Sequence, residues 1–240
     1  MADIPLFFHP HVTKGVENLQ LPEDTARHIG QVLRMQSGEA IELTDGKGQK
    51  VSAVLDDVSK KRSSIHVVDM MHIASPSPAL YLAVAFTKAA ARNEWLLEKA
   101  TELGVRSIIP LITARSVRER IRPERWNAIL VSAMLQSKQC WLPVLQAPTQ
   151  LDSLLGKTAT QKLIAHCMDD DPERRPITEA LKIGDDATIL IGPEGDFTPA
   201  ELTLAKASGA IPVSLGTNRL RTETAALSVI THYYLTNYAV

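Results

Sequence analysis

Cysteine is scarce: Cys140 and Cys167 are the only two in 240 residues, and neither sits in a metal-ligand spacing. That disfavours a disulfide framework or a structural zinc site and suits a reducing cytoplasm. No apolar run approaches the roughly 20 residues that a membrane-spanning helix needs. Residues 1–12 carry no basic leader, only a short apolar patch broken by Pro5, His9 and Pro10. A cytoplasmic protein with no membrane segment and no bound metal is expected. Net charge is missing too: the formal value is −1, which taken alone weighs against a nucleic-acid partner, because phosphates are met mainly by lysine and arginine. A G-x-G-x-x-G turn followed by an acid about 20 residues on is also lacking, which sets a nucleotide-dependent oxidoreductase low.

What is present is ordinary for a soluble globular protein, with 45% apolar and 22% charged residues. The length allows one core plus a small appended domain. The charge is also unevenly spread: residues 81–145 sum to +5, residues 1–80 to −2 and residues 146–240 to −4. Cationic surface is therefore concentrated in the middle of the chain.

The first 70 or so residues read as short β segments at 6–9, 40–44, 50–55 and 64–68. Asp45-Gly46-Lys47-Gly48 between two of them is a hairpin signal, since glycine and aspartate tolerate the positive φ of tight turns. Pro22-Glu23-Asp24 opens one helix, with Ala26, Ile29, Val32 and Leu33 at helical spacing. A small β barrel with one helix is expected. Ala74-Ser75-Pro76-Ser77-Pro78 reads as a linker and places the domain boundary. Beyond it, apolar strands at 80–86, 107–112, 162–166, 188–191 and 211–215 alternate with amphipathic helices. That is the pattern of a mainly parallel sheet covered by helices, an α/β fold.

Two segments carry chemistry. Ile189 to Ile191 runs into Gly192-Pro193-Glu194-Gly195-Asp196-Phe197, after which Thr198-Pro199-Ala200-Glu201 supplies an N-cap, a first-turn proline and an early acid. Ligands of open α/β sheets bind at such strand ends, although a tight loop that needs glycine for its backbone reads the same way. Leu215-Gly216-Thr217-Asn218-Arg219-Leu220-Arg221-Thr222-Glu223-Thr224-Ala225 is a second strand end, loop and helix start, in which Thr222 or Thr224 is available as a cap. A well-capped helix alone does not account for Arg219, Arg221 and Glu223 crowding a strand end, since such charges are seldom buried unpaired.

These two segments together resemble the RsmE family of SPOUT-class RNA methyltransferases, which modify N3 of one uridine in bacterial 16S rRNA. His28, Val32, Leu33 and Arg34 are similar to the family's His-x-x-x-Val-Leu-Arg helix, and Lys99-Ala100-Thr101-Glu102-Leu103-Gly104-Val105 to its Lys-Ala-x-Glu-Leu-Gly-Val segment. One region departs: Leu135 precedes Gln136, and Gln139 stands where the family has an arginine, so that only Gln136, Ser137 and Pro143 align cleanly.

The resemblance implies a SPOUT-type sheet tied in a trefoil knot over 79–240, a small PUA-like β-barrel RNA-binding domain over 1–73, and a homodimer. It implies S-adenosylmethionine (SAM) as cofactor, lined by Gly192, Pro193, Glu194, Gly195, Leu215, Gly216, Leu220, Thr222, Thr224 and Ala225, with His166 and Cys167 at a neighbouring strand end. Methylation of a uracil imide requires loss of the N3 proton, with negative charge spreading to the flanking oxygens. Arg221 is the candidate cation for that charge, and Glu223 a weaker candidate for removing the proton or gripping the cofactor's amino group. The implied partner is 16S rRNA or the 30S subunit, with the target base unpaired. Arg27, His28, Arg34, Lys60, Lys61 and Arg62, together with Arg92 and Gln136, are candidate RNA contacts, as is the run Arg115, Arg118, Arg120, Arg122 and Arg125. Two competing expectations are a knotted methyltransferase acting on a ribose 2′-hydroxyl or another base, and a non-catalytic ribosome-assembly protein.

Overall fold

A computed structural model describes residues 4–12, 17–59, 62–116, 121–156, 160–168 and 170–238. The chain forms two compact units: residues 1–75 joined by 134–142, and residues 76–133 joined by 143–240.

The N-terminal unit contains β1 (Leu6–Phe8), β2 (Asn18–Gln20), α1 (Glu23–Arg27), β3 (Ala40–Thr44), β4 (Gln49–Val58) and β5 (Ser63–His72), with the strands in the sheet order β1-β3-β4-β5-β2. β1 runs parallel to β3, and the other neighbours are antiparallel. Alternate residues Ile41 and Leu43, Val51, Ala53 and Leu55, and Ile65 turn one face onto a core shared with Phe7, Leu21 and Ile29, as the two-residue period of a strand requires. The 45–48 turn is as expected. Asp45 Oδ1 accepts from Lys47 N at 2.7 Å and Gln49 N at 3.0 Å, and Gly46 and Gly48 take φ of 71° and 97°. Segment 134–142 is seated on that turn. Gly48 N donates to Cys140 O and Leu142 N to Gly46 O, both at 2.8 Å, while Trp141 Nε1 donates to Ile73 O at 3.0 Å.

The expected helix is α-helical only over Glu23–Arg27 and continues over His28–Leu33 as a π-helix that ends at Arg34 in the left-handed region, φ 55°. The wider π turn breaks the 3.6-residue stripe. Ala26 and Ile29 stay buried while Val32 and Leu33 swing into solvent.

The C-terminal unit contains β6 (Leu80–Val84), α2 (Ala90–Glu102), β7 (Ser107–Ile112), α3 (Pro123–Gln136), β8 (Val144–Leu145), β9 (Thr149–Gln150) and α4 (Leu151–Leu155). After these come β10 (Gln161–Ala165), β11 (Arg175–Pro176), α5 (Ile177–Ala180), β12 (Ala187–Ile191), α6 (Pro199–Ala207), β13 (Ala210–Ser214) and α7 (Thr222–Asn237). The last three residues of α3 cluster with the N-terminal unit. The sheet order is β11-β13-β10-β12-β6-β7-β8, with β9 also pairing β7, and every pairing is parallel. Central strands read as unbroken apolar runs because both faces are covered. Ala83, Ile164 and Leu190 pack with Leu154 and Leu155 of α4 and Leu202 and Ala205 of α6. α7 packs on β6, β12 and α2. Among the described residues no helix is long and apolar enough to cross a membrane.

Candidate active site

β13, β10 and β12 are neighbours in the sheet and parallel, so their carboxyl ends lie side by side, and the three loops that follow meet there. With Arg92, in the first turn of α2, they line a cavity of about 1260 Å³.

The loop after β12 is shaped by close approach. A Cβ on Gly192 would lie 3.1 Å from two ring carbons of the fully buried Phe197, so the glycine lets the backbone pass over that ring. Asp196 takes a left-handed φ of 62°. Its Oδ1 accepts from Phe197 N at 2.7 Å and its Oδ2 from Cys167 N at 2.8 Å, tying this loop to the end of β10. Arg115 donates to Gly195 O at 2.7 Å. α6 then begins with the expected capping box, Thr198 with Glu201.

The loop after β13 turns at Gly216, φ 118°, a conformation that β-carbon-bearing residues rarely adopt. α7 starts differently from the sequence expectation. Arg221 occupies the N-cap position and no side chain caps the helix. Thr222 is already inside the first turn, and its buried hydroxyl donates to Gly192 O at 3.1 Å, joining the two cavity loops. Thr224 is exposed.

The wall at β10 is a buried histidine. His166 Nδ1 accepts from Met168 N at 3.2 Å, and Nε2 lies 3.2 Å from Asp171 Oδ2. Because Nδ1 is an acceptor, the neutral ring carries its proton on Nε2, which is buried near the carboxylate without a hydrogen-bond partner among the described residues. Burial pushes the imidazole pKa below its ordinary value, and Arg174 adds to this against the pull of Asp171 and Asp196. Burial drives the Asp171 pKa up, but the Glu173 N–H and Lys206 outweigh it, and the carboxyl titrates below the usual range.

The cavity brings together His166, Gly192, Pro193, Glu194, Leu215, Gly216, Leu220, Arg221, Thr222, Ala225 and Arg92. Gly195, Glu223 and Thr224 are not on its wall. Gly195 packs under the Arg115 side chain, and Glu223 stands behind Arg92, Oε1 to Nε 3.4 Å, with its side chain 11% exposed. Sequence reasoning passed over Asp196, Arg174, Pro176 and Ser214 as cavity residues. The Gly195-Asp196 turn was a usable signal for the first. Pro176 and Ser214 end β11 and β13, and Arg174 immediately precedes β11, where no motif marks them.

The remaining candidates belong mostly to the N-terminal unit. Arg27 is exposed and ion-paired with Glu23 at 3.4 Å, His28 stands edge-on to the Phe7 ring, and Gln136 is exposed at the end of α3. Lys60, Lys61, Arg118 and Arg120 lie outside the described residues. In the C-terminal unit Arg115 is occupied by the loop it holds, and Arg125 by Glu94, with Nη2 to Oε2 at 2.8 Å.

A ligand-sized cavity at the carboxyl ends of a parallel sheet is where open α/β folds bind their ligands, and comparison with known proteins gives the class. The model described as RNA methyltransferase domain matches residues 75–233, and that described as RNA methyltransferase PUA domain matches 21–68. The chain belongs to this family of RNA methyltransferases, and within it to the ribosomal RNA small subunit methyltransferase E (RsmE) group. The protein of that name from Rickettsia conorii is 29% identical over 216 residues, covering 88% of this chain and 87% of that one. A crystal structure of the Neisseria gonorrhoeae protein of the same name, bound to S-adenosyl methionine, superposes with a TM-score of 0.80 at 30% identity, covering 96% of each chain. A crystal structure from Porphyromonas gingivalis, described as “probable rRNA-methyltransferase”, is 36% identical, with a TM-score of 0.91 over 98% of this chain and 99% of that one. The mainly parallel α/β fold is accordingly of the SPOUT type, and the N-terminal unit is PUA-like.

Proposed function

We propose that this protein transfers a methyl group from SAM to N3 of a uridine in the 16S rRNA of the small ribosomal subunit, in the cytoplasm and as a homodimer. One observation carries the reading. The cavity closed by the Gly192 and Gly216 loops lies in a chain that matches a SAM-bound relative over nearly its whole length.

The residues present fit the cofactor. About 1260 Å³ exceeds the roughly 300–1000 Å³ usual for a small-molecule site, leaving room for a base beside the donor. Ile191, Pro193, Leu215 and Leu220 offer apolar surface to an adenine, Glu194 a carboxylate to the cationic end, and the glycine loops bare backbone groups. When bound, SAM supplies an electrophilic methyl group.

What remains for the chain is orientation and charge. A guanidinium aimed at the uracil oxygens stabilises the anion left when N3 loses its proton, and Arg92 and Arg221 both stand on the cavity wall to supply one. The PUA-like unit would hold the RNA through Arg27, His28, Arg34 and Gln136, with Lys60 and Lys61. Trp95 on α2 and Tyr234 and Leu235 on α7, all exposed, leave apolar surface for a second copy. In support of a trefoil threading, the chain leaves β13 on one flank of β10 and returns through 215–221 to α7, packed on β6 and β12.

The test is nucleoside mass spectrometry of 16S rRNA from cells lacking the protein, with and without its restoration. Loss and return of one N3-methyluridine is expected. A different methylated nucleoside would move the acceptor, and no change with intact SAM binding would make the protein an assembly factor.

A further inference from the structure

Charged groups at the cavity differ in how firmly they are held. Arg221 is exposed, and its side chain has no partner among the described residues. Arg92 also lines the cavity, but its Nε lies 3.4 Å from Oε1 of Glu223, whose side chain is only 11% exposed. The other carboxylate oxygen, Oε2, is buried without a hydrogen-bond partner among the described residues. A buried carboxylate is tolerated only when paired, and among the described residues the cation paired with Glu223 is Arg92. Backbone on both sides is also fixed. Asn93, next in α2 and buried, accepts from Thr87 N at 3.1 Å and donates to Thr87 O at 2.8 Å, locking the helix start. On α7, Thr222 beside Glu223 is bound to Gly192 O. Glu223 itself is not on the cavity wall.

We propose, resting on the function argued above, that Arg92 is the catalytic guanidinium that receives the negative charge of the deprotonated pyrimidine, and that Glu223 is its positioning residue rather than the base. With Nε 3.4 Å from Glu223 Oε1, the two terminal amino groups of Arg92 remain to meet one or both oxygens flanking N3. A cation held in advance by a buried partner stabilises developing charge without reorganising, which an unanchored Arg221 does not do. The N3–H pair stays on nitrogen as the proton leaves to solvent water or hydroxide. That lone pair forms the new N–CH₃ bond while the C–S bond of the sulfonium breaks, its electrons remaining on sulfur, so that one proton is released per methyl transferred. The guanidinium carries charge throughout and takes up no proton.

The experiment measures methyl transfer to small ribosomal subunits as a function of pH, with SAM binding followed separately by calorimetry. R92A is expected to bind SAM as the wild type does and to lose about 10²–10³-fold in kcat, the range found for a deleted charge-stabilising donor. Its rate should rise with pH over a more alkaline range, because the pyrimidine proton is then harder to remove, and added guanidinium should restore part of the rate. E223Q, which keeps the shape and an acceptor, is expected to lose less than R92A and to keep the pH limb, whereas a lost limb would make Glu223 the base. R92Q serves if R92A does not fold, and R221A, on the same cavity wall, is expected to lose less in kcat than R92A. Loss of SAM affinity in R92A, an unshifted profile, or R221A exceeding R92A would overturn the assignment. Failure of the wild-type protein to make N3-methyluridine would instead sink the proposed function, so the two outcomes are separable.

Discussion

The hydroxyl of Thr222 is the joint between the two loops that close the cavity, and replacing Thr222 by valine tests this directly. Valine keeps the branched shape and deletes only the bond to Gly192 O, 3.1 Å long and buried. A buried carbonyl deprived of its donor costs about 1–3 kcal/mol, and for a folded unit of this size each kcal/mol moves Tm by about 2–4 °C. T222V should therefore unfold about 4–8 °C below the wild type if the cost is about 2 kcal/mol. Because the same bond registers the two loops, SAM affinity by calorimetry should fall by about tenfold, equivalent to about 1.4 kcal/mol. T222S, which keeps the hydroxyl, should retain wild-type affinity and most of the stability. Equal melting of T222V and wild type, or lowered stability with undiminished SAM binding, would refute the claim that this bond holds the loops in register.

Two glycine substitutions should separate steric from backbone effects. G192A forces a Cβ to 3.1 Å from the Phe197 ring and should cost about 1–3 kcal/mol by overpacking, with SAM affinity falling alongside. G216A meets nothing within 4 Å but must hold φ at 118°, so its loss of stability, read by denaturant titration, should come from backbone strain alone. In the N-terminal unit G48A combines both, with φ 97° and a Cβ only 2.7 Å from Ile73 O, His72 and Trp141. Its scanning-calorimetry profile should lose or strongly lower the transition of that unit, and an unchanged profile would contradict the packing. His166 gives a pH prediction. Its folded pKa is depressed by burial, so the unfolded chain binds its proton first, and stability present above the unfolded value of about 6.5 is lost as pH falls below it. H166Q should flatten the fall of Tm between pH 7.5 and 5.5, and an unaltered slope would show that His166 does not contribute.

The parallel sheet and its five main strands were legible because two-sided burial leaves apolar runs, as in Ala187–Ile191. β2 was not, since Asn18-Leu19-Gln20 buries only its middle residue in part and alternates too briefly to register. Val32 and Leu33 read as core because a 3.6-residue period was assumed, and the π turn that exposes them leaves no mark in composition. At the site, the glycine turns and the Thr198 cap were visible as local chemistry. Thr222 misled: a threonine at a helix start signals a cap, but only the tertiary neighbourhood shows that its hydroxyl reaches another loop. Arg115 likewise reads as a phosphate contact until the Gly195 carbonyl is placed beside it. Glu223 is close in sequence to Arg221, yet its partner, Arg92, is set by the packing of α2 on α7, which no motif encodes.

Segment 134–142 has a bearing on the order in which the chain is made. The 45–48 turn emerges from the ribosome well before Cys140, Trp141 and Leu142, which supply its hydrogen-bond partners. At about 5–20 residues per second the nascent N-terminal unit waits several seconds before Gly46 O, Gly48 N and Ile73 O meet these partners. A fragment ending at residue 75 never receives them. The first third of this protein is completed by its middle, and a shortened version retains these three bonds only if that later stretch is carried with it.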